Sequence, residues 1–256
     1  MALLELNELT KNFGGLTALN KVSFGVDEGS ITGLIGPNGS GKTTLINVVS
    51  GFYKPTSGRI IFGGHDITGS MMHDIARSGI CRGFQLTNVF REFSVLDNVR
   101  AAFYLHTGVG FWGAAFHSGG VAAKEKEVTR KAMEIIDFLQ LSEVKDDLAM
   151  NLPHGSERLL GLAMTLATGA KMLMLDEPAT GMNLTECALM MDKIKEIRNR
   201  GKTVLVIEHN MRFISGLCDR IVALDFGQKI CEGVPAEVLR DPKVCEAYLG
   251  LETASA

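Results

Sequence analysis

The chain has 256 residues, of which 46% are hydrophobic, and its formal net charge is −3. This length suits one large domain or a domain with a subdomain, and the apolar content is enough to fill a core. Because a basic excess is missing, composition argues against a nucleic-acid-binding protein, and we expect no nucleic acid among its partners.

The sequence also argues against several other classes. Its five cysteines are scattered without a C-x-x-C pair, which disfavours a disulfide scaffold or zinc site and favours a reducing compartment. The first residues, 1–5, lack the cationic start and apolar segment of a signal peptide. No uncharged apolar run reaches the ~18 residues of a membrane span. We therefore expect contact with a membrane only through the surface or a partner.

The first quarter of the chain predicts mainly strands. Residues 4–9 alternate partly between apolar and polar side chains, and residues 22–26 alternate cleanly, as half-buried antiparallel strands do. The apolar run 31–35 predicts a third strand, and residues 45–49 have a helical pattern. Residues 58–62 follow a turn and predict another strand.

The middle of the chain predicts helices. Residues 94–97 fit a capping box, and helical spacing continues from about 98 to 170 with an interruption at 108–120 that is rich in glycine and aromatic residues. Residues 124–141 place apolar side chains on one helical face.

The last third of the chain alternates between strands and helices. Residues 172–175 and 203–207 are short apolar runs typical of central parallel strands. Residues 184–200, between these runs, and residues 211–217, after them, predict helices. The pattern indicates an α/β core with a helical subdomain inserted near residues 90–165.

Residues 36–44 match the pattern G-x-x-x-x-G-K-[ST] between a predicted strand and a predicted helix, which is the context that a phosphate loop requires. Glycines let backbone N–H groups converge on phosphate oxygens, and the helix start adds positive partial charge. Lys42 supplies a mobile cation, and the Thr43 hydroxyl supplies a ligand for Mg²⁺. A chance glycine-rich turn is the alternative. We predict that nucleotide phosphates are bound by Gly36, Pro37, Asn38, Gly39, Ser40, Gly41, Lys42, Thr43 and Thr44.

Two acidic residues follow the predicted strand 172–175. Asp176, at the carboxyl end of a strand beside the phosphate loop, can hold Mg²⁺ through water, and Glu177 is placed to polarise an attacking water as general base. A strand that ends at an acidic turn is the simpler interpretation of this pair alone. With the phosphate loop, the pair predicts hydrolysis of a nucleotide.

Three further side chains each have two open interpretations. His209 follows the strand 203–207, where it either contacts the γ-phosphate or is structural. Gln85 lies between the core and the helical part, where it either contacts Mg²⁺ and the attacking water or is a solvated polar residue. Phe13 either stacks on adenine or packs at a strand end.

Together these residues resemble the ATP-binding subunit of ABC transporters over nearly the whole chain. The matching segments are the Walker A motif (36–44), the Q-loop (Gln85), the Walker B motif with its catalytic glutamate (172–177), the D-loop region (178–183) and the switch histidine (His209). Phe13 lies where the family places its adenine-stacking aromatic residue. The resemblance implies ATP and Mg²⁺ as cofactors.

The resemblance also implies a fold. We expect a P-loop core with a mixed sheet flanked by helices, an antiparallel N-terminal part and an inserted helical subdomain. It implies one ABC ATPase domain at residues 1–250, with the core at 1–90 and 166–250, the helical subdomain at 91–165 and a tail at 251–256.

A closer resemblance is to the ATPases of branched-chain amino-acid transporters. In that group the ATPase acts at the cytoplasmic face of the inner membrane with two permease subunits, usually a second ATPase and, indirectly, an extracytoplasmic solute-binding protein. The same partners, and uptake of branched-chain amino acids or related small solutes, are therefore implied here. This resemblance is carried by residues 16–18, 51–58, 83–85, 89–92, 108–120, 208–211 and 246–250.

Other functions stay open beside this one. They are a homodimeric ATPase of an export or lipid-extraction ABC system, and a soluble ABC ATPase acting on ribosomes or DNA; the single phosphate loop and the lack of a heptad tract disfavour the second. Phe111, Trp112 and Phe116 are candidates for the permease-docking surface, or they pack within the helical subdomain.

The signature motif departs from the family pattern Leu-Ser-x-Gly-x-x-Arg. In the family, the serine hydroxyl and nearby N–H groups bind the γ-phosphate held by the other subunit. Here Pro153 replaces this serine, and proline has neither a hydroxyl nor an N–H group. Glu157 also replaces a glutamine that is frequent in the family. The departure predicts an asymmetric heterodimer with one weakened site. Alternatively, Gly155 and a helix that begins at Ser156 provide most of the phosphate binding, and the proline at position 153 is tolerated. The motif here consists of Leu152, Pro153, His154, Gly155, Ser156, Glu157 and Arg158.

Overall fold

The computed structural model describes residues 1–83, 89–107 and 120–249 of the chain. An antiparallel sheet is formed mainly by the N-terminal part, in which strands are bonded in the order β2-β1-β4-β5. The predicted strands at 4–9 and 22–26 are segments of two 12-residue strands. The strands of this sheet are β1 (Ala2–Phe13), β2 (Leu16–Asp27), β4 (Ser57–Phe62) and β5 (His65–Asp66).

The second sheet has six strands, which are β3 (Ile31–Ile35), β6 (Ile80–Gly83), β7 (Met172–Asp176), β8 (Thr203–Ile207), β9 (Arg220–Asp225) and β10 (Gln228–Gly233). Their order is β10-β9-β3-β8-β7-β6. The pairs from β9 to β6 are parallel, and β10 runs antiparallel to β9. Every residue of β3, β7 and β8 is buried, which explains why these strands are mostly apolar and do not alternate with polar residues. The predicted mixed sheet is confirmed.

Helices connect these strands. Ser94 begins the third helix: its hydroxyl accepts a hydrogen bond from the Asp97 N–H at 3.0 Å and donates one to the Asp97 carboxylate at 2.8 Å. The fifth helix begins at His154, two residues before the predicted start at Ser156. The helices are α1 (Lys42–Val49), α2 (Met72–Ser78), α3 (Val95–Thr107), α4 (Gly120–Phe138), α5 (His154–Ala167), α6 (Leu184–Asn199), α7 (Met211–Leu217), α8 (Pro235–Val238) and α9 (Pro242–Leu249), with 3₁₀ turns at Ser142–Val144 and Ala149–Asn151.

The six-stranded sheet separates two hydrophobic clusters. Leu173 and Leu175 of β7 face the cluster formed with α3 to α7, whereas Met172 and Met174 face the cluster formed with α1 and the antiparallel sheet. This alternation follows from the two-residue period of a strand. The α/β fold class is therefore confirmed, while the division into a core and a helical subdomain stays a prediction. Among the described helices, none is long and apolar enough to cross a membrane.

Candidate functional site

The candidate site lies at the carboxyl ends of β3, β8 and β7, which are neighbours in the parallel part of the sheet. The phosphate loop follows β3, Asp176 ends β7, and His209 follows β8. A cavity of about 500 Å³ is lined at this edge by Phe13, Lys42, Thr43, Asp176 and Glu177, among other residues. The fold therefore brings together residues from Phe13 to Gly227, which are distant in sequence, as is usual for ligand sites in open α/β sheets.

The phosphate loop has a backbone that requires glycine. A Cβ atom on Gly36 would lie 2.2 Å from the Leu224 carbonyl oxygen and 2.5 Å from Ser40 Oγ, so a side chain cannot fit there. Gly39 has φ +82°, and the space beside it is open. Gly41 precedes α1 and has no side chain to cap it, so first-turn N–H groups remain available to phosphate oxygens.

Lys42 folds back over this loop. Its ammonium donates hydrogen bonds to the carbonyl oxygens of Gly36 at 2.7 Å and Pro37 at 2.8 Å. Burial lowers the pKa of Lys42, although the charges of Glu177 and Asp176 act in the opposite direction. A partly buried cation at the mouth of a loop of N–H donors fits the outer phosphates of a nucleotide.

Asp176 is held by an arginine that the sequence analysis did not single out. Its carboxylate accepts a hydrogen bond from Arg82 Nη2 at 3.0 Å, and Arg82 Nη1 donates to the Asn47 amide oxygen at 2.6 Å. Burial raises the pKa of Asp176, whereas the Arg82 charge lowers it and the Glu177 charge raises it. The carboxylate and the Thr43 hydroxyl, both oxygen donors on the same cavity wall, suit a hard cation such as Mg²⁺.

Glu177 has an uncommon backbone conformation for a glutamate, with φ +52°. Its N–H donates to the Ile207 carbonyl oxygen at 2.8 Å, and Thr180 Oγ1 donates to its carboxylate at 3.2 Å. His209 Nδ1 lies 3.5 Å from the same carboxylate. Strained residues recur at functional sites, and this half-exposed carboxylate beside an imidazole fits a general base.

Glu208 is a second residue that the sequence analysis missed. Its side chain is 1% exposed and accepts hydrogen bonds from the backbone N–H groups of Ala179 at 2.9 Å, His209 at 3.0 Å and Asn210 at 3.3 Å. It therefore ties the segment after Glu177 to the segment that carries His209. The available signal was a charged residue directly after the apolar run 204–207.

The surroundings of Phe13 agree both with packing at a strand end and with stacking on adenine. Its ring meets the Tyr53 ring edge-on with 5.0 Å between centroids, and Lys11 Nζ lies 4.9 Å from its centroid. It is also 40% exposed and lines the cavity. Gln85 lies outside the described residues, two positions after the end of β6, as do Phe111, Trp112 and Phe116.

The signature segment lies apart from this cavity, whose lining contains none of residues 152–158, all of which the structure describes. Pro153 precedes α5 with φ −56° and ψ 149° and gives it no side-chain cap. A Cβ atom on Gly155 would lie 2.3 Å from Glu186 Oε1, so a side chain there would require the Glu186 side chain to move. His154 Nε2 lies 3.0 Å from the Thr180 carbonyl oxygen, which connects the signature to the D-loop region of the same chain.

Two family models match this sequence. Residues 19–180 match the family described as ABC transporter, and residues 228–252 match the family described as branched-chain amino acid ATP-binding cassette transporter. The chain belongs to the ABC transporter family. It is an ATP-binding cassette that binds nucleotide and hydrolyses ATP, as predicted. The roles of individual residues stay predictions.

Individual relatives are similar to this cassette over nearly its full length. It is 40% identical to the "Probable branched-chain amino acid transport ATP-binding protein LivG" of Archaeoglobus fulgidus, covering 98% of this chain and 97% of that protein. It is 38% identical to the high-affinity branched-chain amino acid transport ATP-binding protein LivG of Salmonella typhimurium, covering 97% and 98%.

Solved structures show the same fold. One is the ADP conformation of an ATP-binding cassette of an ABC transporter, with 35% identity, a TM-score of 0.87 and coverage of 98% of this chain and 99% of that one. Another is a nucleotide-free cassette, with 35% identity, a TM-score of 0.85 and coverage of 97% and 99%.

Proposed function

We propose that this cassette energises the uptake of branched-chain amino acids or related small solutes. The observation that carries the proposal is the match of residues 228–252 to the branched-chain amino acid cassette family, in a segment beyond the general cassette match at 19–180. The transport names of the full-length relatives support it.

The proposed mechanism assigns a task to each residue at the carboxyl edge of the sheet. The loop N–H groups and Lys42 bind the phosphates of ATP, while Phe13 stacks on adenine. Thr43, Asp176 and Gln85 would hold Mg²⁺, which when bound neutralises phosphate charge. Glu177 accepts a proton from the attacking water, and His209 and Thr180 orient its carboxylate.

A second cassette belongs to the proposal because the signature segment does not line the cavity of its own chain. The signature, Leu152 to Arg158, is proposed to meet the nucleotide held by the second cassette. We favour a heterodimer, since in a homodimer both sites would contain Pro153. The assembly would lie at the cytoplasmic face of the inner membrane on two permease subunits, with a solute-binding protein outside.

The proposal is tested by purifying the tagged full-length chain from its native membrane and identifying its partners by mass spectrometry. Two permeases and a second cassette are expected. Uptake of radiolabelled leucine by membrane vesicles should require ATP and be lost in Glu177→Gln. A homodimer on an export permease, or ribosomal partners without a permease, would contradict the uptake function.

A further inference from the structure

The last described helix, α9, contacts the first residue of the phosphate loop. The Gly36 N–H donates a hydrogen bond to the Tyr248 hydroxyl with 2.7 Å between nitrogen and oxygen. The Tyr248 ring packs against the hydrophobic cluster beneath α9. Burial raises the pKa of Tyr248 to about 12, so the phenol stays protonated at neutral pH. The mechanism above gives this side chain no task.

Gly36 is held on several sides at once. Its carbonyl oxygen accepts a hydrogen bond from Lys42 at 2.7 Å, and its N–H is bound by Tyr248. The position of its missing Cβ is closed by Leu224 and Ser40. Because β3 ends at Ile35, Gly36 is the point from which the loop leaves the rigid sheet, and its orientation sets where the following N–H groups point.

Beyond Gly36 the loop is not packed against α9. A cavity of about 600 Å³ separates Pro37–Ser40 from α9, where it is lined by Lys243, Glu246 and Ala247. The Tyr248 hydroxyl is therefore a point contact at the base of a loop that has open space behind its tip. Because the tip has no packing on the side that faces α9, the hydrogen bond at Gly36 is the contact by which α9 limits rotation of the loop.

We propose that Tyr248 is a positioning residue of the nucleotide site, through which the C-terminal segment sets the affinity of the phosphate loop for nucleotide. The inference rests on the proposed role of that loop. The inference also suggests a role for residues 228–252, the segment that matches the branched-chain amino acid cassette family. Tyr248 in this segment positions the phosphate loop, which lies in the segment that matches the general family.

The test compares Tyr248→Phe with wild type, with Glu237→Gln on the neighbouring helix α8 as a control and with Lys42→Ala as the loop knockout. Calorimetry with ADP and Mg²⁺ measures the affinity of the full-length chain. Loss of one hydrogen bond to a backbone N–H should weaken ADP binding by about threefold to tenfold. Glu237→Gln, at an exposed position that lines neither cavity, should leave the ADP affinity unchanged.

A second measurement separates positioning from general destabilisation. Hydrogen exchange of the Gly36 amide should be about tenfold faster in Tyr248→Phe, because its acceptor is lost. In the assembled transporter the KM for ATP should rise while kcat is retained. Equal ADP binding by wild type and Lys42→Ala would overturn the site itself. A different result would overturn the Tyr248 inference alone. In that case Tyr248→Phe would keep the wild-type ADP affinity and the wild-type exchange rate of the Gly36 amide, while Lys42→Ala would not bind ADP.

Discussion

The two functional ends of this cassette differ in how their polar groups are held. At the phosphate-loop end, side chains contact one another. Arg82 donates a hydrogen bond to Asp176, and Glu177 is flanked by Thr180 and His209. At the signature end, α5 follows Pro153, which provides no side-chain cap. The first end is prearranged within one chain, whereas the role proposed for the second end requires a second cassette.

The largest expected effect comes from breaking the first end at Glu177. Glu177→Gln keeps the side-chain volume but removes the proton acceptor, so ATP hydrolysis by the assembled transporter should fall by about 10²- to 10⁴-fold. ATP affinity should be retained because the phosphate loop is unchanged. Glu143→Gln, at an exposed 3₁₀ position, serves as the control. Hydrolysis within twofold of wild type would exclude Glu177 as the base.

A second break removes the arginine that holds Asp176. Arg82→Met leaves the Asp176 carboxylate, whose side chain is 10% exposed, without its cation. The free energy of unfolding should fall by about 3 kcal/mol, because an unpaired buried charge is costly. Denaturant titration measures this, and Asp176→Asn in the same background should recover much of the loss.

The matched control is another Arg–Asp pair in the same chain. Arg77 and Asp74 lie 3.9 Å apart with side chains 62% and 54% exposed, so Arg77→Met should barely change stability. Equal losses for Arg77→Met and Arg82→Met would contradict the view that burial at the phosphate-loop end makes the Arg82 contact matter.

A third, smaller break targets Glu208. Glu208→Gln offers one acceptor oxygen where two now receive N–H groups, and its NH₂ would face a backbone donor. Unfolding free energy should fall by about 2 kcal/mol, and kcat should fall while the KM for ATP holds. Glu143→Gln, at an exposed 3₁₀ position, should change neither quantity. A raised KM with normal kcat would place Glu208 in nucleotide binding instead.

Much of the fold follows from local pattern. The buried strands β3 and β8 and the helix α7 have the predicted bounds, because apolar runs and capping residues mark them directly. The strand β6 and the hairpin β9–β10 were not predicted. Two half-buried residues, of which one is Arg82, interrupt the buried pattern of β6, and β10 contains no buried residue. Their pairing depends on tertiary neighbours.

The site divides in the same way. Lys42, Asp176 and Glu177 were predicted because a motif fixes their spacing to a strand and a helix. Arg82 and Tyr248 were not, since each acts on a residue that is distant in sequence: Arg82 on Asp176, and Tyr248 on Gly36 across 212 positions. Sequence spacing carries no signal for such pairs, which the strand order brings together.

The smallest expected effect sharpens the comparison at the signature end. Pro153→Ser adds a hydroxyl at the residue before α5, where the backbone is already extended and suits a capping serine. ATPase activity of the assembled transporter should rise by about twofold, because a hydrogen bond to a charged phosphate is gained at one of two sites. Unchanged turnover and unchanged ATP affinity in the assembled complex would contradict the prediction that Pro153 weakens one nucleotide site.

Pro153→Ala separates the hydroxyl from the loss of the proline ring. Both variants lose the constraint of proline on the unfolded chain, about 0.4–1 kcal/mol, while the serine alone regains about 1 kcal/mol as a helix cap. Thermal unfolding of the isolated chain reports those terms. If the hydroxyl acts on the partner's nucleotide, ATP affinity of the isolated chain should stay the same in all three proteins, because Pro153 does not line its own cavity. A gain in the isolated chain would mean that the signature acts within one subunit, and the contrast between the two ends would fail.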